Sequence, residues 1–229
     1  MKLFNKKILI IVAHTDDESF GCGGLIKKLS LNKNKVSAIS FTNGVGSRSN
    51  NKDREIKKRK ISSIKASKIL GFSWLAQYNY PDNQLDSISL LEIIQVIEKH
   101  KKQFKPHVVI THNFSDLNID HRQIAEATLT AFRPEPNEKL EQLLTFEVPS
   151  ATDFRILKNK KNFIPNYFVN IDKYFKAKIN AIKSYKDEIK PYPHSRSING
   201  VRNLSKIRGN QSGLNCAEAF EIVRKIERS

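Results

Sequence analysis

The sequence predicts an α/β fold built on a largely parallel sheet. Continuous apolar runs alternate with amphipathic stretches along the 229 residues, and no internal repeat or Pro/Ser-rich linker interrupts them. This length, with 39% hydrophobic residues, is enough for one sizeable domain. We therefore predict a single domain over residues 1–229, with its core at about 1–140 and a less regular region at about 141–229 that caps the sheet.

The first half of the chain alternates strands and helices. Strands are predicted where apolar, β-branched residues run without interruption, and helices where apolar residues recur about one turn apart. The predicted strands cover residues 7–14, 35–43, 74–78 and 107–113. The predicted helices cover residues 24–31, 53–70, 89–100 and 121–132. Gly71 and Pro134 follow two of these helices, and each residue type is common just after a helix end.

The second half shows weaker patterns. We predict strands at 145–150 (TFEVPS) and 167–172 (YFVNID). We predict helices at 173–189 and, close to the last residue, at 216–226.

Forty lysines and arginines against 23 aspartates and glutamates give a formal net charge of +17. This excess fits either a nucleic-acid-binding protein or a lysine-rich surface that favours small anionic substrates. The basic residues are spread over every segment, without an RNP, helix-turn-helix or Cys/His finger motif. We therefore favour the second interpretation and expect no specific nucleic-acid partner. The clusters at 57–60 (KKRK) and 158–161 (KNKK) are typical of solvated faces.

Cysteine content and hydropathy indicate the compartment. Cys22 and Cys216 are too few for a disulfide framework, and neither belongs to a CxxC pair. The apolar run at 8–13 is too short to cross a bilayer or to form the hydrophobic segment of a signal peptide. We therefore expect a cytoplasmic protein without a transmembrane segment.

Two predicted strands run directly into residues that bind metals. AHTDDE at 13–18 ends the first strand, and THNFSDLNIDH at 111–121 ends the fourth. Together these segments hold four aspartates and three of the six histidines. Because sites in open parallel sheets form beyond the carboxyl ends of the strands, we expect the two segments to lie together.

The residue types fit a catalytic zinc site, in which three protein ligands leave one position for water. Adjacent Asp16 and Asp17 can take two different roles: one binds the metal, and the other is the base that takes a proton from water. Each residue also has a structural interpretation: Asp16 or Asp17 as a helix N-cap, His14 as a structural histidine, and Asp120 as the cap of the next helix. The two clusters taken together favour the metal site.

These motifs also carry a family resemblance. AHTDDE resembles the AHPDDE motif of the PIG-L/LmbE-like zinc-dependent N-deacetylases, and DLNIDHR resembles that family's second motif, which ends in Asp-His. Other stretches resemble bacterial members tied to polysaccharide and nucleotide-sugar pathways, in the expected order over most of the chain: GVGSR, YPDNQLD, TAFRP, FEVPSATDF and RGNQSGLNCAEAFEIV. The resemblance implies a Rossmann-like, mostly parallel sheet with helices on both faces and a C-terminal region that shapes the substrate site.

The resemblance implies a reaction and assigns roles by position. It implies removal of an acetyl group from an amino sugar of the N-acetylglucosamine type, free or nucleotide- or lipid-linked. His14, Asp17 and His121 match the three zinc ligands, although other divalent transition metals such as iron or cobalt could occupy the same site. Asp16 matches the general base, and Asp120 matches the aspartate behind the ligands.

Substrate contacts are assigned less directly. Arg59 and Asp82 match positions that contact the sugar in related enzymes. Arg48, Arg59, Arg196 and Arg208 are candidates for phosphate contacts on an anionic substrate, with Arg59 preferred and Arg48 second because its loop follows a strand end. A solvent-exposed ion pair is the alternative for each arginine. The sequence is also compatible with a homo-oligomer.

Two positions depart from the family motifs. Thr15 stands where the motif has proline, which alters the rigidity of the turn and leaves the ligands in place. Asn118 stands where many members have a histidine; it can donate to an oxyanion but cannot shuttle a proton near neutral pH. The acid would then be Asp16, His194 or His112, with His194 preferred over His112 because it lies in a polar segment near two arginines. A sugar-binding protein without turnover is therefore a second hypothesis, and a basic nucleic-acid-binding domain a third.

Overall fold

The computed structural model describes residues 4–45, 52–155 and 162–227; Arg48 and the 158–161 cluster fall outside these ranges. The described strands are β1 Lys7–Val12, β2 Lys35–Thr42, β3 Ser73–Tyr80, β4 Val108–His112, β5 Gln142–Phe146, β6 Tyr167–Asn170 and β7 Ala217–Lys225. The described helices are α1 Asp17–Leu31, α2 Lys52–Leu70, α3 Leu90–Phe104, α4 Ile119–Ala131, α5 Phe175–Ile182 and α6 Ile198–Asn210. None of these helices is long and apolar enough to span a membrane.

All the described strands form one sheet in the order β3-β2-β1-β4-β5-β7-β6. Strands β3, β2, β1, β4 and β5 are parallel, and β7 runs antiparallel to both of its neighbours. This confirms the predicted Rossmann-like, mostly parallel sheet. The chain moves outward from β1 to β3 and then returns to place β4 on the other side of β1. The carboxyl ends of β1 and β4 therefore adjoin at the point where the strand order reverses, which is where open α/β sheets bind ligands.

Helices cover both faces of the sheet, as predicted. Strand β1 is buried on both sides, and alternate residues enter different cores. Ile8, Ile10 and Val12 pack in the core formed with α1, α2 and α5. Leu9 and Ile11 pack in the core formed with α3 and α4. A strand buried on both faces has to be apolar at every position, which explains the uninterrupted run in the sequence.

The predicted helix at 216–226 is wrong, because this segment is strand β7. It lies between β5 and β6, where Phe220 joins one core and Val223 contacts the other. The Glu218 carboxylate accepts bonds from the Gly24 and Leu25 amides and from Lys178 Nζ, at 2.6–2.8 Å. Apolar residues in AEAFEIV fit a helical or an extended period equally well, so pairing with two distant strands decided the conformation.

Two boundaries and one further helix in the second half differ from prediction. The helix predicted at 173–189 is only Phe175–Ile182, with short 3₁₀ turns on either side. The strand predicted at 145–150 is Gln142–Phe146. Helix α6 was not predicted, although Ser197 caps it by accepting the Gly200 N–H at 2.9 Å. The predicted division near residue 140 stays a prediction.

Both cysteines are free, and we expect their thiols to react slowly in the folded protein. Burial raises the pKa of Cys22 well above its ordinary value and raises that of Cys216 to about 11. Because the thiolate is the reactive form, little of either is present near neutral pH. Ellman's reagent should modify both thiols quickly in guanidinium chloride and only slowly in native buffer. Rapid stoichiometric labelling of the native protein would contradict this arrangement.

Candidate metal centre

The turn after β1 carries a strained aspartate. Asp16 has a φ of 129°, in a region that favours glycine, and it occupies the N-cap position of α1 without making a side-chain capping bond. Its N–H donates to Glu18 Oε2 at 2.9 Å. Such backbone conformations cost about 1–3 kcal/mol and persist only where surrounding contacts hold them. The capping interpretation therefore does not explain Asp16.

Three buried side chains from the two predicted segments converge on one point. His14 Nδ1 lies 3.3 Å from Asp17 Oδ2 and 3.2 Å from His121 Nε2, and the last two atoms lie 3.3 Å apart. A tetrahedral zinc ion with bonds of about 2.0–2.1 Å separates its ligand atoms by about 3.3 Å. The spacing and chemistry of these donors therefore fit such an ion.

Carboxylates lie behind both histidines and indicate which nitrogens face the ion. His14 Nε2 lies 3.1 Å from Asp120 Oδ2 and 3.1 Å from Asp82 Oδ1. His121 Nδ1 lies 3.1 Å from Asp116 Oδ2. Histidines that bind metal usually donate the other ring N–H to a carboxylate, which fixes the tautomer. The remaining nitrogens, His14 Nδ1 and His121 Nε2, face the same point as Asp17 Oδ2. These three donor atoms are called the metal triangle, or the triangle, below.

The electrostatics of the cluster are those of a cation site. Burial lowers the pKa of His121, but Asp17 and Asp116 outweigh burial and raise it to about 9. Burial likewise opposes the charged form of His14, whose carboxylate contacts nevertheless raise its pKa well above the ordinary value. The carboxylates thus favour positive charge at this point, which either protons or a metal ion can supply.

Helix α4 positions His121 and Asp120. Asn118 is its N-cap, and its Oδ1 accepts the N–H of Asp120 at 2.8 Å and that of His121 at 3.3 Å. The Asn118 Nδ2 donates to Asn83 Oδ1 at 2.9 Å. Asp120 is therefore not the cap; its carboxylate accepts the Asn83 and Leu85 N–H groups at 2.8 and 2.9 Å.

Two arginines hold the Asp16 carboxylate. Arg59 Nη2 donates to Asp16 Oδ1 at 2.7 Å, and Arg196 donates to Asp16 Oδ2. Gly44, at a φ of 66°, lies so close to Arg59 that an added Cβ would be 2.6 Å from its Nε. Burial raises the pKa of Asp16, and the arginines offset part of that rise.

The cluster opens into a cavity of about 220 Å³. Its described lining includes two residues of the triangle, His14 and His121, and five other predicted site residues, Asp16, Arg59, Asp82, Asn118 and Arg196. The remaining lining residues were not predicted: Gly44, Asn83, Leu117, Ser150, Ala151 and Glu188. Among the described residues, His194 and Arg208 do not line it. The His194 Nδ1 accepts the Arg196 N–H at 3.0 Å, and Arg208 pairs with Glu147 at 2.6 Å.

Comparison with known proteins gives a decisive match. A family model described as "PIG-L: GlcNAc-PI de-N-acetylase" matches residues 9–132, which include most of β1, the whole of β4 and all three residues of the triangle. The chain belongs to the PIG-L family. This family assignment confirms the resemblance predicted from AHTDDE and DLNIDHR.

The relatives of this PIG-L protein include two deacetylases and one protein with a different activity. The uncharacterized deacetylase YaiS of Escherichia coli K12 is 29% identical over 79% of this chain and 91% of its own length. A diacetylchitobiose deacetylase of Thermococcus kodakarensis is 25% identical over 96% and 84%. The solved structure of GalB, a 4-carboxy-2-hydroxymuconate hydratase from Pseudomonas putida KT2440, covers 98% of each chain at 19% identity with a TM-score of 0.74. That last likeness shows the fold alone, so the activity has to be argued from the site.

Several contacts in this PIG-L site were missed from sequence. They involve four buried groups to which the sequence analysis gave no role: Glu18, Asp116, Tyr185 and Glu188. Arg59 also bonds to Glu188, and Tyr185 OH donates to Glu18 at 2.9 Å. His112 stacks on His121 at 3.9 Å, and burial lowers its pKa to about 4. It is therefore neutral near pH 7 and a poor source of a proton. Among the missed groups, Asp116 could have been found from the sequence, because FSDLNIDH places two aspartates close to His121.

Asp116→Asn should weaken metal binding without removing a member of the triangle. Its Oδ2 lies 3.1 Å from His121 Nδ1 and accepts the Thr152 hydroxyl at 2.8 Å. Loss of a carboxylate behind a ligand histidine typically costs about 10–100-fold in metal affinity. Zinc titration against a competing chelator measures the change, with exposed Asp86→Asn as the control. Equal affinities for the two variants would contradict this role of Asp116.

Proposed function

We propose that this protein is a metal-dependent N-deacetylase that hydrolyses the acetamide of an amino sugar of the N-acetylglucosamine type. The observation that carries the proposal is the triangle of His14 Nδ1, Asp17 Oδ2 and His121 Nε2 at 3.2–3.3 Å, with the Asp16 carboxylate lining the same cavity. Zinc suits the donor set. A divalent ion here would polarise the acetyl carbonyl and lower the pKa of water.

Asp16 is the proton carrier of the proposed reaction. Its carboxylate is oriented by Arg59 and Arg196, and each oxygen keeps a further lone pair that can accept a proton from the attacking water. Burial raises its pKa, which makes the carboxylate a stronger base than an exposed aspartate. Asp16 then returns the proton to the leaving nitrogen, so that acetate and a free amine are released.

Asn118 and the cavity wall provide the remaining contacts. The Asn118 amide nitrogen carries two hydrogens, so its bond to Asn83 leaves one to donate to the oxyanion. Asp82 and Arg59 line the cavity and are proposed to contact the sugar, and Arg59 and Arg196 favour an anionic substrate. Asp120 orients His14.

An acetate-release assay tests the function. The full-length protein, reconstituted with zinc, is incubated with N-acetylglucosamine, N,N'-diacetylchitobiose and a nucleotide-linked N-acetylglucosamine. We expect acetate from at least one of them, loss of activity with chelator and recovery with zinc. Sugar binding without acetate release would instead support the sugar-binding hypothesis. Tight, salt-sensitive nucleic-acid binding that ignores chelator would support the third.

His194→Ala tests the alternative acid. Because His194 does not line the described cavity, we expect kcat to stay within about threefold of wild type, a change of less than 1 kcal/mol in the barrier. The pH profile of kcat should keep its shape. A fall of about a hundredfold, with a lost limb in that profile, would instead assign the acid to His194.

A further inference from the structure

We propose that a second cavity, which shares Arg59 with the cavity at the metal centre, binds a small anion such as a phosphate group. This cavity, here called the α2 cavity, measures about 230 Å³ and is bordered by Ser40, Thr42, Lys57, Lys60 and Gln77, among others. Apart from Arg59, no described residue that borders it has a role in the proposed deacetylation. The proposal goes beyond that function and does not depend on it.

The α2 cavity lies where this class of fold places ligands. Ser40 and Thr42 are in the last part of β2, and Gln77 is paired with Ser40 on the neighbouring β3. Helix α2 closes the cavity from one face of the sheet. It thus lies beside the carboxyl-terminal parts of two parallel strands, at the same edge of the sheet as the crevice at β1 and β4.

The charge of the α2 cavity selects an anion. Lys57, Arg59 and Lys60 line it, and no carboxylate occurs among the described residues that do so. These residues belong to the KKRK cluster that the sequence alone assigned to a solvated face. Lys58 in the same cluster does not border the cavity; its Nζ lies 2.6 Å from Asp187 Oδ2. Cations without a lining carboxylate fit a phosphate and disfavour a metal ion.

A buried hydroxyl also lacks a partner there. Ser40 is fully buried and borders the cavity, yet its Oγ has no hydrogen-bond partner among the described residues. Buried polar groups are normally paired. A small shift of the side chains that cover Ser40 would let a phosphate oxygen in the cavity accept this hydroxyl. Gln77 is differently placed, since its Nε2 donates to Ser63 Oγ at 2.7 Å.

Arg59 borders both cavities. Its Nε donates to Thr15 Oγ1 at 3.0 Å, while its Nη2 holds Asp16 at 2.7 Å. An anion in the α2 cavity would therefore lie beside the guanidinium that holds the proposed base, with Lys57 and Lys60 as its own cations. The same chemistry could come from a phosphate on the substrate or from a free phosphate compound.

Calorimetric titration of inorganic phosphate into the full-length protein, before and after chelator treatment, tests the site. We expect saturable binding that survives chelation and weakens about tenfold or more in the Lys57→Glu/Lys60→Glu variant. Lys65→Glu/Lys68→Glu is the matched control, because these lysines are exposed on the same helix and do not border the cavity. Ser40→Ala should weaken binding severalfold at an unchanged melting temperature. Absence of saturable binding, binding that chelation abolishes, or equal losses in the two double variants would overturn the proposal.

Two deacetylation substrates distinguish the sources of the anion. If the substrate supplies it, free phosphate should inhibit turnover of a nucleotide-linked N-acetylglucosamine and leave neutral diacetylchitobiose unaffected. If a free compound supplies it, phosphate should change both rates. Either response should disappear in Lys57→Glu/Lys60→Glu. A response that this variant retains in full would count against the α2 cavity.

Discussion

Asp16→Asn is expected to lower kcat for deacetylation by about 10²–10⁴-fold, the usual contribution of a positioned general base. Asparagine keeps the shape of the side chain but cannot accept the proton from water. The metal triangle does not include Asp16, so zinc content should stay at the wild-type level. Acetate release and metal analysis on the same preparation measure both quantities.

The control for this variant is Asp86→Asn, which removes an exposed carboxylate. Because Arg59 and Arg196 both bond to Asp16, the melting temperature has to be measured alongside the rate. Arg59 retains its bonds to Thr15 and Glu188, which should keep the variant folded. Unchanged turnover would contradict the proposed base. Loss of zinc together with activity would assign Asp16 to metal binding instead.

His121→Ala should abolish both stoichiometric zinc binding and acetate release. It removes one corner of the triangle and leaves the buried Asp116 without the imidazole that faces it, while Asp17 keeps only His14 from the triangle. Removing one partner of a buried ion pair typically costs about 3–5 kcal/mol of stability. We therefore expect a lower denaturant midpoint in the metal-free variant as well as loss of metal.

His107→Ala is the matched histidine control. Its ring is half-buried at the opposite end of the sheet, where Nδ1 accepts the Lys7 N–H at 3.0 Å. Zinc content and turnover should stay near wild type in this variant. If His121→Ala bound zinc as tightly as His107→Ala did, the proposed coordination would fail.

Local pattern was sufficient for most of the parallel sheet. The run at Lys7–Val12 is apolar throughout because both faces of β1 are covered, and that feature is visible without coordinates. Near the last residue the pattern was ambiguous. AEAFEIV suits a helix or a strand, and only β5 and β6 on either side of it made it β7. Long-range pairing therefore overrode local preference.

The candidate site was also predictable from the sequence only in part. Residue types at two strand ends predicted a metal centre, and the sheet order makes those ends adjacent. The carboxylate that faces His121 could not be assigned from sequence, because four aspartates compete for that position. Likewise, the bond from Arg196 to Asp16, 180 residues away, could not be read from the sequence, which proposed Arg196 only as a phosphate contact.

The sequence by itself thus determined the family, the parallel sheet and the kinds of donor at the strand ends, since these depend on neighbouring residues. Tertiary structure alone decided which histidine nitrogens converge, that Arg59 and Arg196 share Asp16, and that Arg59 borders two cavities. The physical reason is distance along the chain. His14 and His121 are 107 positions apart, and side-chain direction over such a separation is set by packing and charge in three dimensions.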